Sequence, residues 1–517
     1  MKTKPSLTLE LDSHTADAGV NTRIEAFIDI VERSRNSSSA KKQKSGLTSA
    51  FIKMYHGAPV FISTQGKKYQ LDHPSVHLLF PSMGRLTSEL VASVFKGSGI
   101  RASALPVYDQ EVLKTGRANT SCKECLPLIL TTGGLINHLK NRQNKDENLV
   151  YFMPTCGGNC RFTQYNVFLR KYIQDNRIEN VALLSLTNEN GYAGLRTSDA
   201  LNVLKTVIIT DCMEDIKNAL LVLACDRNQA METFEKQWER LLELFSSGNS
   251  KKLYKLLNQV AEELAEIPLK YPLSQAKVVS LMGEIFVRRD YFSCKDIISK
   301  LAVRDILVRR APVLEWLMYC DFNVEKGIYE AKFNVKEYLQ FRTKTILQKT
   351  YEKKIKKILS KSGLYHYEPI DIDTTMKYGN NFFDLRLTGE AILVAGAFFK
   401  DILHSMHGAI SIGPFACMPT RVIESVMSSE ATVENRDVLA GEKEKYKNIT
   451  TLPFLSIETD GSPFPQIVDA RLEAFCLQVE RVHKLVNETV ETKKNNTQLF
   501  QGQHSKISIR SDTAKVI

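Results

Sequence analysis

The sequence predicts an α/β protein with two doubly wound, Rossmann-like parallel-sheet domains, a helical connector between them and a helical insert in the second. Three observations carry this expectation. Short apolar runs alternate with segments of helical periodicity in both halves of the chain, the pattern of strand–helix–strand units in a parallel sheet. A long charged stretch with apolar residues at helical spacing separates the two alternating regions. With 517 residues and 43% hydrophobic content, the chain also exceeds the size at which one core stops growing.

The elements follow in order. Residues 1–70 read as a polar N-terminal extension, with one short helical pattern from Thr22 to Glu32 and a Ser/Lys-rich run from Arg33 to Lys44. The first α/β domain covers 71–225. Val76 to Phe80 is a strand, Pro81-Ser82-Met83-Gly84 a tight loop, and Leu90, Val91, Val94 and Phe95 the apolar face of a helix. Leu149 to Met153 and Val181 to Ser185 are further strands, with helical patterns at Phe162–Ile173 and Leu201–Lys205. Residues 226–275 form the connector, where Phe234, Trp238, Leu241, Leu242 and Phe245 recur at helical spacing. The second domain covers 276–490. Its expected strands are Ala276–Val287, Ala311–Trp316, Ala409–Ile412 and Pro453–Ile457; its helices are Cys294–Leu301, an insert near 317–362, Ile392–Met406 and Asp469–Val486. The polar tail, 491–517, is expected to be mobile.

Composition narrows the function classes. No apolar stretch approaches the roughly 20 residues that span a bilayer, and Met1 to Ser13 has no apolar signal core, so a cytoplasmic protein with no membrane partner is expected. The ten cysteines are then read as reduced thiols rather than a disulfide framework. Lys and Arg total 69 against 58 Asp and Glu, a net charge of +11. Part of this excess lies in Arg342 to Lys361, where Tyr351, Ile355, Ile358 and Leu359 leave an apolar stripe, the pattern of a solvated helix face packed on a core. An anionic ligand such as a coenzyme A thioester would also suit the positive balance; no motif supports nucleic acid.

Chemistry concentrates in three Cys/Gly/Pro-rich segments: Ser121-Cys122-Lys123-Glu124-Cys125-Leu126-Pro127, Pro154 to Phe162 with Cys156 and Cys160, and Gly413-Pro414-Phe415-Ala416-Cys417-Met418-Pro419. Each stands beside an expected strand end or helix start, and in doubly wound sheets ligands collect outside the carboxyl ends of the strands. A thiolate is the iron ligand, and a position at a helix amino terminus is expected to lower the thiol pKa and favour that form. Zinc is the main competitor, but structural zinc sites pair compact C-x-x-C knuckles, whereas here the second pair is C-x-x-x-C and Cys417 is remote. His404 and His407, with no carboxylate or third ligand nearby, read as surface or core residues. Cys212, Cys225, Cys294, Cys320 and Cys476 read as small buried hydrophobes.

Taken together and in order, these segments resemble the 2-hydroxyacyl-CoA dehydratase component family, and most closely the dehydratase-like module of large CoA-enzyme activase proteins. The resemblance spans about 76 to 485 and includes Leu78–Phe95, Glu124–Leu139, Tyr151–Leu169, Gly283–Ser293, Gly413–Ser425 and Glu458–Phe475. It implies a [4Fe-4S] cluster held by Cys125, Cys160 and Cys417, with one iron open to exchange, and a dimer. Cys122 and Cys156 stand where the module more often has small residues and are further candidate ligands; a double-cubane cluster is the larger alternative. It also implies either a dehydratase-like lyase or cluster-based reductase component, or a non-catalytic electron-transfer or regulatory subunit of an activase complex. In the first role Arg161 and Arg288 can pair with an anionic substrate group or with structural carboxylates. The chain contains neither G-x-x-x-x-G-K-[ST] nor an actin-like phosphate loop, so a separate ATP-dependent activase is expected as electron donor.

Overall fold

The computed structural model describes Ile24, Phe27, Ile28, Val31 and residues 49–504, apart from 56–57, 122–123, 156–159, 186–196, 295, 330–333, 442–448, 450 and 462–465. Contacts divide the chain into Met1–Thr48 and Ser49–Ile517. In the first unit Ile24, Phe27, Ile28 and Val31 are helical. The remainder of the fold belongs to the second.

That unit opens with a small antiparallel sheet of β1 (Phe51–Tyr55), β2 (Ala58–Ile62) and β3 (Lys68–Gln70), in the order β1-β2-β3. No strand is expected there from sequence, because lysines and a proline interrupt the apolar positions. Phe61 is nevertheless fully buried and packs with Val76, Leu78 and Phe80 of β4 (Val76–Phe80).

The first parallel sheet has the order β5-β4-β6-β7, with β5 at Ala102–Ala104, β6 at Asn148–Phe152 and β7 at Val181–Leu184. Helix α1 (Arg85–Gly97) follows β4; α2 (Gln110–Ala118) and α3 (Leu126–Asn141) lie between β5 and β6, and α4 (Tyr165–Asp175) between β6 and β7. Every residue of β4 and β7 is buried, as expected for parallel strands covered on both faces. Helix α5 (Thr197–Leu223) then runs far beyond the expected Leu201–Lys205, followed by α6 (Arg227–Ser246) and α7 (Leu253–Ala265) in the connector region.

The second parallel sheet repeats the winding of the first. Its order is β11-β10-β8-β9, from β8 (Lys277–Gly283), β9 (Ile306–Arg310), β10 (Gly408–Pro414) and β11 (Phe454–Thr459). In each sheet the chain lays its second strand on one side of the first and its third on the other. The switch points thus fall between β4 and β6 and between β8 and β10. Helices flank both sheets: α8 (Ile297–Val303), α9 (Val313–Glu325), α10 (Val335–Leu359), α11 (Ile372–Gly379), α12 (Glu390–Asp401), α13 (Met418–Glu430), α14 (Val433–Ala440) and α15 (Gln466–His504).

Two strand expectations shift. The strand expected over Ala276–Val287 stops at Gly283, whose φ of +101° turns the chain so that Glu284 donates its N–H to the Ile412 carbonyl at 2.9 Å. The strand expected at Ala311–Trp316 lies earlier, at β9. Its charged end misleads a hydrophobicity reading, since Arg310 is only 3% exposed and lies 3.7 Å from Glu214 of α5. Pro312 then caps α9, whose first N–H groups, Val313 and Leu314, donate to Asp211 at 3.0 Å each. Asp211 also pairs with buried Arg289. Helix α10 buries the stripe Ile355, Ile358 and Leu359 against the core and carries its remaining lysines mostly outward, as its composition predicts; Lys356, paired with Glu352 at 2.8 Å, is the buried exception. One apolar cluster joins the two parallel sheets, containing Leu79, Leu149 and Leu183 with Val279, Ile410 and Ile457.

Candidate functional site

The three expected ligand cysteines occupy equivalent local positions. Cys125 is the N-cap of α3, Cys417 the N-cap of α13, and Cys160 the N-cap of a 3-10 turn, Arg161–Gln164, that leads into α4. A proline in the first turn follows both Cys125 and Cys417, where its missing N–H costs nothing. Cys160 follows β6 and Cys417 follows β10, so both stand outside the carboxyl ends of strands at the switch points. Ala416, just before Cys417, is left-handed at φ +58° and donates its N–H to Glu458 at 3.1 Å, which fixes the approach of the thiol.

One half-buried carboxylate lies within electrostatic reach of all three thiols. Glu284, at the carboxyl end of β8, exerts its electrostatic influence on Cys125, Cys160 and Cys417, so residues from both sheets meet at one place. Its carboxylate accepts from Val287 N–H at 2.8 Å. Glu390, at the start of α12, accepts from Ile285 N–H at 2.9 Å, acts on Cys160 and Cys417, and is itself raised by Glu284. Arg288 lies 3.8 Å from Glu390, with its guanidinium donating to the carbonyls of Gly283, Ala311 and Pro312. The structural alternative for Arg288 is therefore the one observed, while Arg161 sits on the exposed start of its turn.

Electrostatics correct one sequence expectation. Burial, reinforced by Glu284, pushes the Cys125 thiol up to about 11 and the Cys417 thiol up to about 12, and burial raises Cys160 as well. Helix amino termini and hydrogen bonds act the other way but lose: Cys125 meets the Tyr165 hydroxyl at 2.5 Å, and Cys160 Sγ accepts from Phe162 N–H at 3.5 Å. Burial and Glu284 together push Glu390 up to about 8. Thiols raised in this way hold their protons and would have to release them for a metal centre to bind. Three thiols at helix or turn starts are the donor type that an iron–sulfur cluster uses.

The other candidates separate clearly. Cys122 and Cys156 lie outside the described residues. Cys212, Cys294 and Cys476 are buried, as expected, but Cys225 is exposed and Cys320 half-buried, because the ends of α5 and the outer face of α9 leave them at the surface. His404 is exposed, and His407 accepts the Val278 N–H at 3.0 Å. Sequence reasoning misses Glu284, Glu390 and Tyr165, since nothing in their spacing marks them; only the convergence of the loops does.

Among the described residues, the histidine, cysteine and carboxylate group with mutually close ligand atoms is His77, His138 and Glu147, all within 4.8 Å of one another. The three thiols do not meet that spacing. No helix of the described residues is long and apolar enough to cross a membrane. No protein-family model matches the chain, and no curated protein matches it.

Proposed function

We propose that this chain is an iron–sulfur protein related to the 2-hydroxyacyl-CoA dehydratases and their activases, with a [4Fe-4S]-type cluster on Cys125, Cys160 and Cys417. The observation that supports the reading is that three cysteines at helix or turn starts, drawn from both sheets, all lie within electrostatic reach of one carboxylate, Glu284. Each thiolate of a cubane binds a different iron, so such a cluster does not need its cysteine ligands to converge on one ion.

When bound, such a cluster supplies a low-potential electron and an iron with an exchangeable position. The chain's own residues then have separable tasks. Cys125 is oriented by the Tyr165 hydroxyl, and the Phe162 N–H donates to Cys160 Sγ. The Glu390 carboxyl, pushed up to about 8, keeps its proton at neutral pH in a buried place beside the thiols. The site is also approachable: Cys160 is exposed, and Phe415 and Met418 flank Cys417 at 65% and 49% exposure. These features suit activator-dependent reduction or dehydration of an acyl-CoA or other small substrate in the cytoplasm, with a separate ATP-dependent activase docking as electron donor, and no nucleic-acid or membrane partner.

Protein made without oxygen should contain iron and acid-labile sulfide and show the cluster's EPR signal once reduced. Replacing Cys125, Cys160 or Cys417 by Ser should deplete the iron severely. Cys294→Ser and Cys476→Ser should retain it and cost on the order of 1–3 kcal/mol of stability. Zinc with sulfur neighbours and no iron after reconstitution, or equal iron loss in all five variants, refutes the assignment.

A further inference from the structure

A second group of ligating side chains lies at the opposite, amino-terminal edge of the first parallel sheet. His77 is the second residue of β4, Glu147 immediately precedes β6, and His138 is in the last turn of α3, whose other end is capped by Cys125. At about 1.5 Å per residue along α3, the two locations are roughly 20 Å apart, so this group is separate from the thiols.

The geometry is that of a small convergent site. His77 Nδ1 lies 3.1 Å from Glu147 Oε1, and His138 Nε2 lies 3.9 Å from Glu147 Oε2. A tetrahedral ion with bonds of about 2.0–2.1 Å needs ligand atoms about 3.3 Å apart, so shifts of a few tenths of an ångström close the site. The far ring nitrogen of His77 is held by Ser103 Oγ at 2.7 Å, the kind of outer partner that fixes the ring of a ligating histidine. His138 supplies the independent observation. Its Nε2 is buried and has no contact within normal hydrogen-bond distance; it points at the Glu147 carboxylate from 3.9 Å. Burial lowers the pKa of both histidines, which leaves their imidazoles neutral and able to ligate at neutral pH. Two guanidiniums attend the same glutamate: Arg101 lies 2.8 Å from Oε1, and Arg142 donates to its backbone carbonyl at 3.4 Å. Arg101 satisfies one oxygen and leaves Oε2 facing His138. It also weakens the pull on a cation, which favours a borderline ion that bonds imidazole strongly over a hard one that depends on carboxylate charge.

We propose that His77 Nδ1, His138 Nε2 and Glu147 form a binding site for a divalent ion of the zinc class, which ties the C-terminal end of α3 to β4 and β6. Bound there, the ion holds α3 along its length and so steadies the end that carries Cys125. The site stands independently of the iron–sulfur reading.

The test uses the full-length chain with added Zn²⁺, followed by zinc content per chain and X-ray absorption at the zinc edge, where iron does not interfere. The expected result is one zinc with nitrogen and oxygen neighbours and imidazole scattering, retained in Cys125→Ser. In His138→Gln the affinity should fall at least about 10-fold, and the rise in Tm that zinc produces in the parent should vanish. His138 Nε2 makes no contact shorter than 3.9 Å to Glu147, so this variant removes a ligand at little cost in hydrogen bonding and should fold. His77→Gln provides a second readout, with the same loss expected. Sulfur neighbours at the zinc, zinc affinity unchanged in both histidine variants, or no zinc bound by the parent would each overturn the proposal.

Discussion

His407 offers a sharp test of the second sheet's packing. It sits at the entry to β10, donates its own backbone N–H to the Val278 carbonyl at 2.7 Å and accepts the Val278 N–H on its ring Nδ1 at 3.0 Å. Burial, aided by the His483 ring 4.7 Å away, drives its pKa down from 6.5 to about 4. The folded protein therefore binds fewer protons than the unfolded chain between those values. Stability is fully present above pH 6.5 and is lost as pH falls toward 4. A shift of that size corresponds to about 3 kcal/mol over the whole window, of which about 2 kcal/mol is gone by about pH 5. Because other groups titrate in the same range, the informative quantity is a difference. His407→Gln removes the titrating ring, and its loss of packing and fit should make it less stable than the parent at about pH 7.5. Urea unfolding at about pH 7.5 and about pH 5 should show the parent's advantage shrinking by about 2 kcal/mol at the lower pH. Parallel pH dependence in the two proteins would refute the argument and mean that the folded ring takes up its proton as readily as the unfolded one.

Other outcomes follow from the same structure. Gly283→Ala would place a Cβ 2.2 Å from the Ile412 carbonyl oxygen at φ +101°; a loss of at least about 3 kcal/mol and poor cluster retention are expected in denaturant melts and iron assays. Asp211→Ala strands buried Arg289 and uncaps α9, and should cost about 3–5 kcal/mol by urea unfolding, whereas an effect below about 1 kcal/mol would show that the pair is solvated. If the proposed cluster is present, a related activase with ATP and a strong reductant should reduce it, as followed by EPR, and omission of ATP should abolish the effect. Full reduction by NADH alone would leave simple electron transfer as the better account.

The strands most legible in the sequence were β4, β6, β7, β10 and β11. Parallel strands covered on both faces must be short, nearly continuous apolar runs, and these are. The cysteines that cap helices were legible for a related reason, because Gly and Pro mark the loops that leave such strands. β9 was misplaced, since Arg309 and Arg310 look like surface residues until α5 brings Asp215 and Glu214 against them, at 3.9 and 3.7 Å. The antiparallel strands β1 to β3 escaped notice because burial of Phe61 depends on β4, which is invisible in their own pattern.

The amino-acid sequence thus determined by itself the alternation of elements, the two-sheet fold class and the positions of Cys125, Cys160 and Cys417, all of which follow from local periodicity and turn chemistry. Tertiary structure alone decided the state of those thiols. Their pKa values rise rather than fall because packing partly desolvates each thiol, with Glu284 from another loop adding to the effect. It alone also assembled His77, His138 and Glu147, which come from a strand, a helix end and a loop with no motif spacing between them. Burial and through-space charge depend on which distant segments meet, and that information belongs to the packed chain rather than to any window of sequence.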